Sequence, residues 1–248
     1  MRRLMTKTQS ARIFGGGAAR VPWVVLGTVC ALVIGYFAWS ARPGWLGMRT
    51  ARAEDAYYNL MVRGFRAGQL DLKTEVPAGL AQLADPYDPI ALLDYLLADG
   101  HPLLDLSYYH GKLYLYFGVT PALLLFWPYA ALTGHYLWHQ DAVVIFCAIG
   151  FLVSVGLLCL MWRRYFPEIG LAVVAAGVLA LGLAGFTPII LPRAEVYEVA
   201  ISCGCALTML ALLLLWEACH RPHQRGRWLA AASLVYGCLL YTSPSPRD

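Results

Sequence analysis

Charged side chains are scarce in this chain. Among its 248 residues, 19 are Lys or Arg and 15 are Asp or Glu, so only 14% carry a charge. Soluble domains average about 25%. Hydrophobic residues make up 59% of the sequence, and the mean hydropathy is +0.57. This composition excludes the ordinary soluble class and predicts a protein whose outer surface faces lipid.

The sequence also lacks the short motifs that accompany nucleotide use and common forms of hydrolysis. It contains no G-x-x-x-x-G-K-[ST] loop, no G-x-G-x-x-G turn, no H-E-x-x-H pair and no G-x-S-x-G elbow. Nucleotide-driven transport and soluble-type hydrolysis are therefore without support. The net charge of +4 lies in clusters beside apolar runs, which indicates membrane orientation and not a nucleic-acid partner.

Cysteines occur, but not in a pattern that builds disulfides or metal sites. Cys203 and Cys205 are two residues apart, which places their side chains about 200° apart on a helix, so they cannot hold one metal ion together. The sequence offers no metal-ligand set and implies no particular cofactor, and it leaves the need for a divalent metal open. All seven cysteines lie in or beside apolar runs, where they act as small hydrophobic residues: Cys30, Cys147, Cys159, Cys203, Cys205, Cys219 and Cys238.

Long apolar runs dominate what is present. Four of them contain no charged residue, and each approaches the roughly 20 residues that cross a bilayer core. A fifth run, Trp228 to Tyr241, is shorter than the usual minimum of about 17, which predicts a final helix truncated within this sequence. We predict an all-α fold, a polytopic transmembrane helix bundle. Its full spans are Val21 to Ala41, Ala142 to Trp162, Leu171 to Leu191 and Val199 to Trp216.

The two ends of the chain differ from the spans. Residues 1–20 predict a basic cytoplasmic tail. The first run exceeds the 7–15 residues of a signal peptide, and no A-x-A site follows it, which favours an uncleaved span. Residues 242–248 continue a Ser/Pro-rich ending that resembles translated adapter sequence. We expect this segment to be non-native; a short disordered tail is the alternative.

The stretch Leu113 to Thr133 decides the topology. If it does not cross, Arg163, Arg164 and the basic residues near Arg225 all lie on the cytoplasmic side, as the positive-inside rule requires. Its two prolines and aromatic side chains favour juxtamembrane or re-entrant helices, although a kinked spanning helix is the alternative. Residues 42–140 then form an outer loop with juxtamembrane helices. We expect the protein to lie in the bacterial inner membrane with its N-terminus in the cytoplasm.

An acidic pair opens the candidate site in this outer region. Nine of the fifteen acidic residues lie there, and a tenth, Asp141, directly follows. The segment Ala51 to Gly68 predicts an amphipathic helix from which Asn59 projects away from the apolar face. Its first turn carries Glu54 and Asp55. Such a pair can serve the helix dipole alone, but a carboxylate at a membrane surface can also act as a general base.

Two basic positions could complete the site. His110 and Lys112 precede the ambiguous stretch, where they could hold the phosphate of a lipid-linked substrate or simply anchor the chain at the interface. Arg193 and Glu195 lie in the short outer turn between the third and fourth spans. Arg193 could contact a phosphate leaving group, or the turn could contain only paired or snorkelling charges.

Together these residues resemble the N-terminal half of GT-C-type membrane glycosyltransferases, which include protein mannosyltransferases and aminoarabinose transferases. The shared plan is a basic N-terminus, one span, a long outer loop that opens with an acidic pair, and closely spaced spans. The segment from His110 to Tyr116 departs from that family by lacking its proline pair.

The resemblance implies transfer of a sugar from a polyprenyl-phosphate donor to an acceptor on the outer face. It implies Asp55, with Glu54 beside it, as the catalytic base or the acceptor-positioning group. As mechanism we expect Lys112 and Arg193 to stabilise the departing lipid phosphate. The expected partners are the lipid-linked donor and the bilayer. A polytopic transporter and a non-enzymatic membrane scaffold are the alternatives, although a transporter would be expected to carry polar groups in mid-span.

Overall fold

The computed structural model describes residues 21–42, 52–77, 79–83, 85, 88, 90, 94–95 and 106–240. The predicted tails at 1–20 and 242–248 lie outside this range. The described chain is mostly helical, which confirms the predicted all-α class. A single two-stranded hairpin in the described part is the exception.

Four helices are long and apolar enough to cross a membrane, and they identify a membrane protein. The third of these segments breaks after Leu183 and resumes at Thr187, where a proline occupies the first turn. The helices of the bundle are α1 (Val21–Ser40), α4 (His139–Tyr165), α5 (Leu171–Leu183), α6 (Thr187–Ile190), α7 (Val196–His220) and α8 (Arg225–Leu240).

The helix α7 lies at the centre of the bundle. It packs along both α4 and α8, while α1 packs against α5 and α4. Small residues allow the closest approaches: a Cβ atom added to Gly150 would lie 3.2 Å from Ala206 Cα, and one added to Gly182 would lie 2.5 Å from a methyl group of Val33. Membrane helices often pack through such small residues, because lipid gives no hydrophobic force between them.

Contacts between helix termini define two ends of the bundle. At one end the Arg163 guanidinium lies 5.1 Å from the Trp23 ring, so the end of α4 meets the start of α1. At the other end Thr120 Oγ1 donates a hydrogen bond of 2.8 Å to Cys238 O, near the end of α8. We call the first the basic end and the second the hairpin end.

A short helix, α2 (Tyr57–Arg66), lies at the hairpin end. It is shorter than the predicted helix from Ala51 to Gly68, and Glu54 and Asp55 occupy a separate 3₁₀ turn, Ala53–Asp55, before it. The prediction that Asn59 projects away from the buried face is wrong, since Asn59 is fully buried. The helix is covered on more than one side because the segment before α4 packs over it.

A β-hairpin precedes the short helix that leads to α4, and sequence reasoning did not predict it. Its strands are β1 (Leu106–Tyr109) and β2 (Lys112–Leu115), paired antiparallel. The turn residues His110 and Gly111 have φ angles of 47° and 76°. Two positive φ angles are typical of the two-residue turns that match strand twist.

The predicted juxtamembrane helix pair at Leu113 to Thr133 is therefore wrong in detail. Its first residues belong to β2, residues 116–119 are not helical, and the rest is one continuous helical segment. That segment starts with a π-helical turn, Ala122–Phe126, and continues as α3 (Trp127–Thr133), which ends at Gly134 with φ 73°. With five and seven residues, the two parts are together shorter than the roughly 17 needed to cross a bilayer.

Candidate functional site

The predicted catalytic pair separates into two different environments. Glu54 forms an ion pair of 3.2 Å with Arg52, and its backbone carbonyl accepts a hydrogen bond from Arg63. Asp55 is exposed, and its side chain has no hydrogen bond or ion pair within the described residues. A carboxylate without a partner keeps its oxygens available to accept a proton or a hydrogen bond from a ligand.

Asn59 fixes the turn that carries this pair. Its side-chain amide donates one hydrogen bond to Ala53 O and one to Leu137 O, both at 2.7 Å. Because Asn59 is fully buried, loss of these donors would leave a buried carbonyl without a partner. The amide therefore joins the turn beneath Asp55 to the segment that enters α4, across a large separation in sequence.

Aromatic rings enclose the same junction. Tyr58 stacks on Phe126 with a centroid separation of 5.1 Å, and His139 meets both rings edge-on at 5.8 and 5.9 Å. Within the described ranges, the buried Nε2 atom of His139 has no hydrogen-bond partner. These contacts hold α2, the π-helical turn and the first residue of α4 against one another, so the Asp55 turn rests on a rigid base.

A cavity of about 530 Å³ lies beside this junction, between the end of α1 and the start of α4. Trp138 in its wall directly follows Leu137, the residue to which Asn59 is bonded. The lining combines opposite charges at the helix ends with apolar residues one or two turns into the spans. The lining residues are Ala38, Ala41, Arg42, Trp138, Gln140, Asp141, Val144 and Ile145.

Lys112 belongs to an ion pair instead of standing alone. Its Nζ atom lies 2.9 Å from Asp71 Oδ1. The hydrogen bond from Lys112 lowers the pKa of Asp71, and the same bond raises the pKa of Lys112. A backbone bond of 2.9 Å from Leu72 N to Leu113 O joins the same two segments. His110 lies at the exposed hairpin turn, with its ring 4.1 Å from that of Tyr109.

Arg193 and Glu195 take part in the start of α7. Arg193 Nε lies 3.2 Å from Glu198 Oε1, and Glu198 is only 3% exposed. Glu195 and Glu198 form a reciprocal capping box, in which the Glu195 amide donates to Glu198 Oε2 at 3.1 Å. The next ring, Tyr197, contacts Phe117 at 5.4 Å, which brings this turn to the hairpin end.

All six predicted residues therefore lie at one end of the bundle, but they do not share one environment. Lys112 and Arg193 are paired, Glu195 caps a helix, and none of the six lines the cavity described above. Arg42, Asp141 and Asn59 were missed as site residues. Arg42 and Asp141 could have been found as the first charges beyond two apolar runs, whereas the sequence around Asn59 carries no comparable signal.

No protein-family model, curated protein or solved structure matches this chain. Among the residues that the structure describes, no group of three or more His, Cys, Asp or Glu side chains could hold a metal ion.

Proposed function

We propose that this protein is a membrane glycosyltransferase that moves a sugar from a polyprenyl-phosphate donor to an acceptor at the hairpin end. One observation carries the proposal. The buried amide of Asn59 ties the turn of Asp55 to Leu137, next to the wall of a cavity at the ends of two apolar helices. Asp55 does not line the cavity, but these bonds hold its turn to the segment that forms one of the cavity walls.

The cavity suits a lipid with a charged headgroup. Its volume lies within the roughly 300–1,000 Å³ typical of small-molecule sites. Val144 and Ile145 offer an apolar wall for the first isoprene units, while Arg42 can bind a phosphate through two parallel hydrogen bonds. Arg42 thus takes the phosphate-binding role that the sequence predicted for Lys112 and Arg193, whose charges are already satisfied by carboxylates.

The chemical step needs only one base and one stabilised leaving group. An acceptor hydroxyl or amide attacks the anomeric carbon of the sugar while Asp55 takes the acceptor proton. The bond between that carbon and the phosphate oxygen breaks, and polyprenyl phosphate leaves with the bonding electrons. Arg42 stabilises the negative charge that develops on the phosphate.

Replacing Asp55 tests this role. In the full-length protein, we expect Asp55→Asn to lower the transfer rate by about a hundred- to ten-thousandfold, the usual loss for a general base. Glu75→Gln is the matched control, because Glu75 is another exposed carboxylate in the same outer segment. The assay follows labelled sugar from a polyprenyl-phosphate donor. Equal rates for the parent and both variants would remove Asp55 from the mechanism.

The transporter alternative makes a different prediction. It requires polar groups along a path through the bundle, whereas the buried polar residues of the described spans, Glu198 and Ser202, lie in the first two turns of α7. This distribution favours chemistry at one end. Sugar uptake by proteoliposomes that persists in Asp55→Asn and occurs without transfer would support the transporter instead.

A further inference from the structure

The basic end carries a concentration of arginine that the proposed function does not use. Its acidic neighbours in the described chain are Glu168 and Glu217, and Glu217 is already bonded to Arg221. Positive charge is therefore in excess at this end. We call the following exposed residues the basic patch: Arg163, Arg164, Arg221, Arg225 and Arg227.

Contacts between α4 and α7 hold the parts of this patch together. Tyr165 Oη and His220 Nε2 are 3.0 Å apart, and the Tyr165 ring lies 5.6 Å from that of Trp216. His220 Nδ1 is also within 2.7 Å of Trp216 O, which fixes the imidazole at the end of α7. The patch is thus a built surface that joins two helix ends and the turn into α8.

Aromatic rings lie beside three of these five arginines, and within the described chain only Arg221 is bonded to a carboxylate. The guanidinium of Arg164 lies 5.9 Å from the Tyr165 ring, and that of Arg221 lies 5.7 Å from the Trp228 ring. Stacking on a ring orients a guanidinium but leaves its N–H groups able to donate to another acceptor. An anion can therefore bind without displacing the rings.

Helix stability accounts for only part of the patch. Arg163 and Arg164 lie in the last turn of α4, where cations are favourable. Arg225 and Arg227 lie in the first turn of α8, where cations are unfavourable and no acidic residue is present to offset them. Within the described chain neither has an ion pair. A negatively charged partner from outside the chain would remove this cost.

We propose that the basic patch binds the headgroup phosphate of an anionic phospholipid, with Arg225 and Arg227 as its main contacts. The patch lies where the apolar helices end, which is the depth of lipid headgroups. The neighbouring Trp216 and Trp228 are residues that prefer this interface. The charge of the patch complements an anionic lipid and gives a zwitterionic lipid no comparable attraction.

The test compares two double variants that lose the same charge. Arg225→Gln/Arg227→Gln alters the patch, whereas Arg66→Gln/Lys73→Gln removes two exposed cations at the hairpin end. Each full-length protein is purified in neutral detergent and titrated with phosphatidylglycerol or phosphatidylcholine. Bound lipid is counted by native mass spectrometry. Circular dichroism checks that the variants remain helical.

We expect the parent to bind phosphatidylglycerol in preference to phosphatidylcholine, with an affinity that falls as salt is added. The patch variant should bind phosphatidylglycerol about tenfold to thirtyfold more weakly, since each basic residue contributes ~1 kcal/mol near an anionic surface. The control should stay within about twofold of the parent. If a variant does not fold, the parent alone tests the proposal, through the fall of its phosphatidylglycerol affinity as salt is added.

Four results would overturn the proposal. The first is equal binding of the two lipids by the parent, and the second is equal weakening in both variants. The third is displacement of the lipid by inorganic phosphate but not by sodium chloride at the same ionic strength, which would show a site for a free anion. Binding that is insensitive to salt would also contradict an electrostatic headgroup site.

Discussion

The two ends of the bundle use charged residues in opposite ways. At the hairpin end three cations pair with carboxylates, whereas at the basic end three of the five arginines lie over aromatic rings. Paired charges fix how loops sit against one another, while stacked arginines leave their donors available. The paired set is Arg52 with Glu54, Lys112 with Asp71, and Arg193 with Glu198.

The same contrast extends to distance along the chain. Asn59 reaches Leu137 across 78 residues, and Lys112 reaches Asp71 across 41. At the basic end the ion pair of Arg221 with Glu217 is local, within one turn of helix. The hairpin end therefore depends on polar contacts between distant parts of the chain, and so does part of the basic end, where Tyr165 meets His220 across 55 residues.

Disrupting the packing of α4 against α7, the two helices that connect both ends, should have the largest effect. In Gly150→Leu the new side chain meets the backbone of Ala206, which cannot move aside as a flexible side chain would. We expect loss of folded protein, since overpacking costs about 1–3 kcal/mol and more where backbone is displaced. Thermal unfolding in detergent measures this.

A matched control exists one and a half turns further along α4. Gly156 has open space around it, with no atom within 4 Å of an added Cβ. Gly156→Leu should therefore fold as the parent does. Equal stability of the two leucine variants would show that α4 and α7 do not approach closely at Gly150.

Removing the buried amide should affect the hairpin end alone. Asn59→Leu keeps the approximate size of the side chain but leaves the carbonyl of Leu137 without its donor. We expect a loss of about 1–3 kcal/mol in unfolding free energy and faster hydrogen exchange around Ala53 to Asp55. The lipid preference of the basic end should not change. A parallel loss of that preference would show that the two ends are coupled.

The spans were predictable because a bilayer fixes their length and composition. The predicted first span, Val21 to Ala41, agrees closely with α1. The second and fourth spans extend beyond their apolar runs, since α4 begins at His139 and α7 begins with the capping box at Glu195, whereas the third run is interrupted after Leu183. Polar residues can continue a helix outside lipid, so an apolar run marks the membrane part and not the helix itself.

The hairpin end was harder to predict because its structure comes from tertiary contacts. Asn59 was assigned to the exposed face of an isolated helix, and only the packing of Leu137 over that face buries it. The β-hairpin did carry a local signal. Tyr and Leu residues flank a His110–Gly111 turn, a pattern typical of hairpins, but proximity to an apolar stretch favoured a helical interpretation.

Lowering the pH should weaken the hairpin end slightly through its ion pair between Lys112 and Asp71. The pKa of Asp71 is lowered by Lys112, so the folded state binds this proton less readily than the unfolded chain does. The stabilisation from the pair is therefore present above the ordinary pKa of Asp and is lost as the pH falls through the lowered pKa of Asp71. We expect the Leu72 amide to lose protection in acid.

Hydrogen exchange, corrected for the intrinsic rate at each pH, measures this loss. In Lys112→Gln the protection of Leu72 should be lower at neutral pH and should depend less on acid. The effect will be small, because exposed ion pairs contribute little to stability. Unchanged protection in the variant would assign the hairpin geometry to the backbone bond from Leu72 to Leu113 alone.

The central position of α7 has a consequence for biogenesis. Because α5 and α6 separate α4 from α7 in the chain, α4 enters the membrane before the helix that covers its Gly150 face has been synthesised. Lipid is as apolar as that later neighbour, so the delay costs little. The loops outside lipid differ from the spans, because their structure depends on a partner that is made later. Asn59 is synthesised early and has no bond to Leu137 until 78 further residues have emerged. Nascent chains arrested before and after Leu137 should therefore differ most in protease resistance around Ala53.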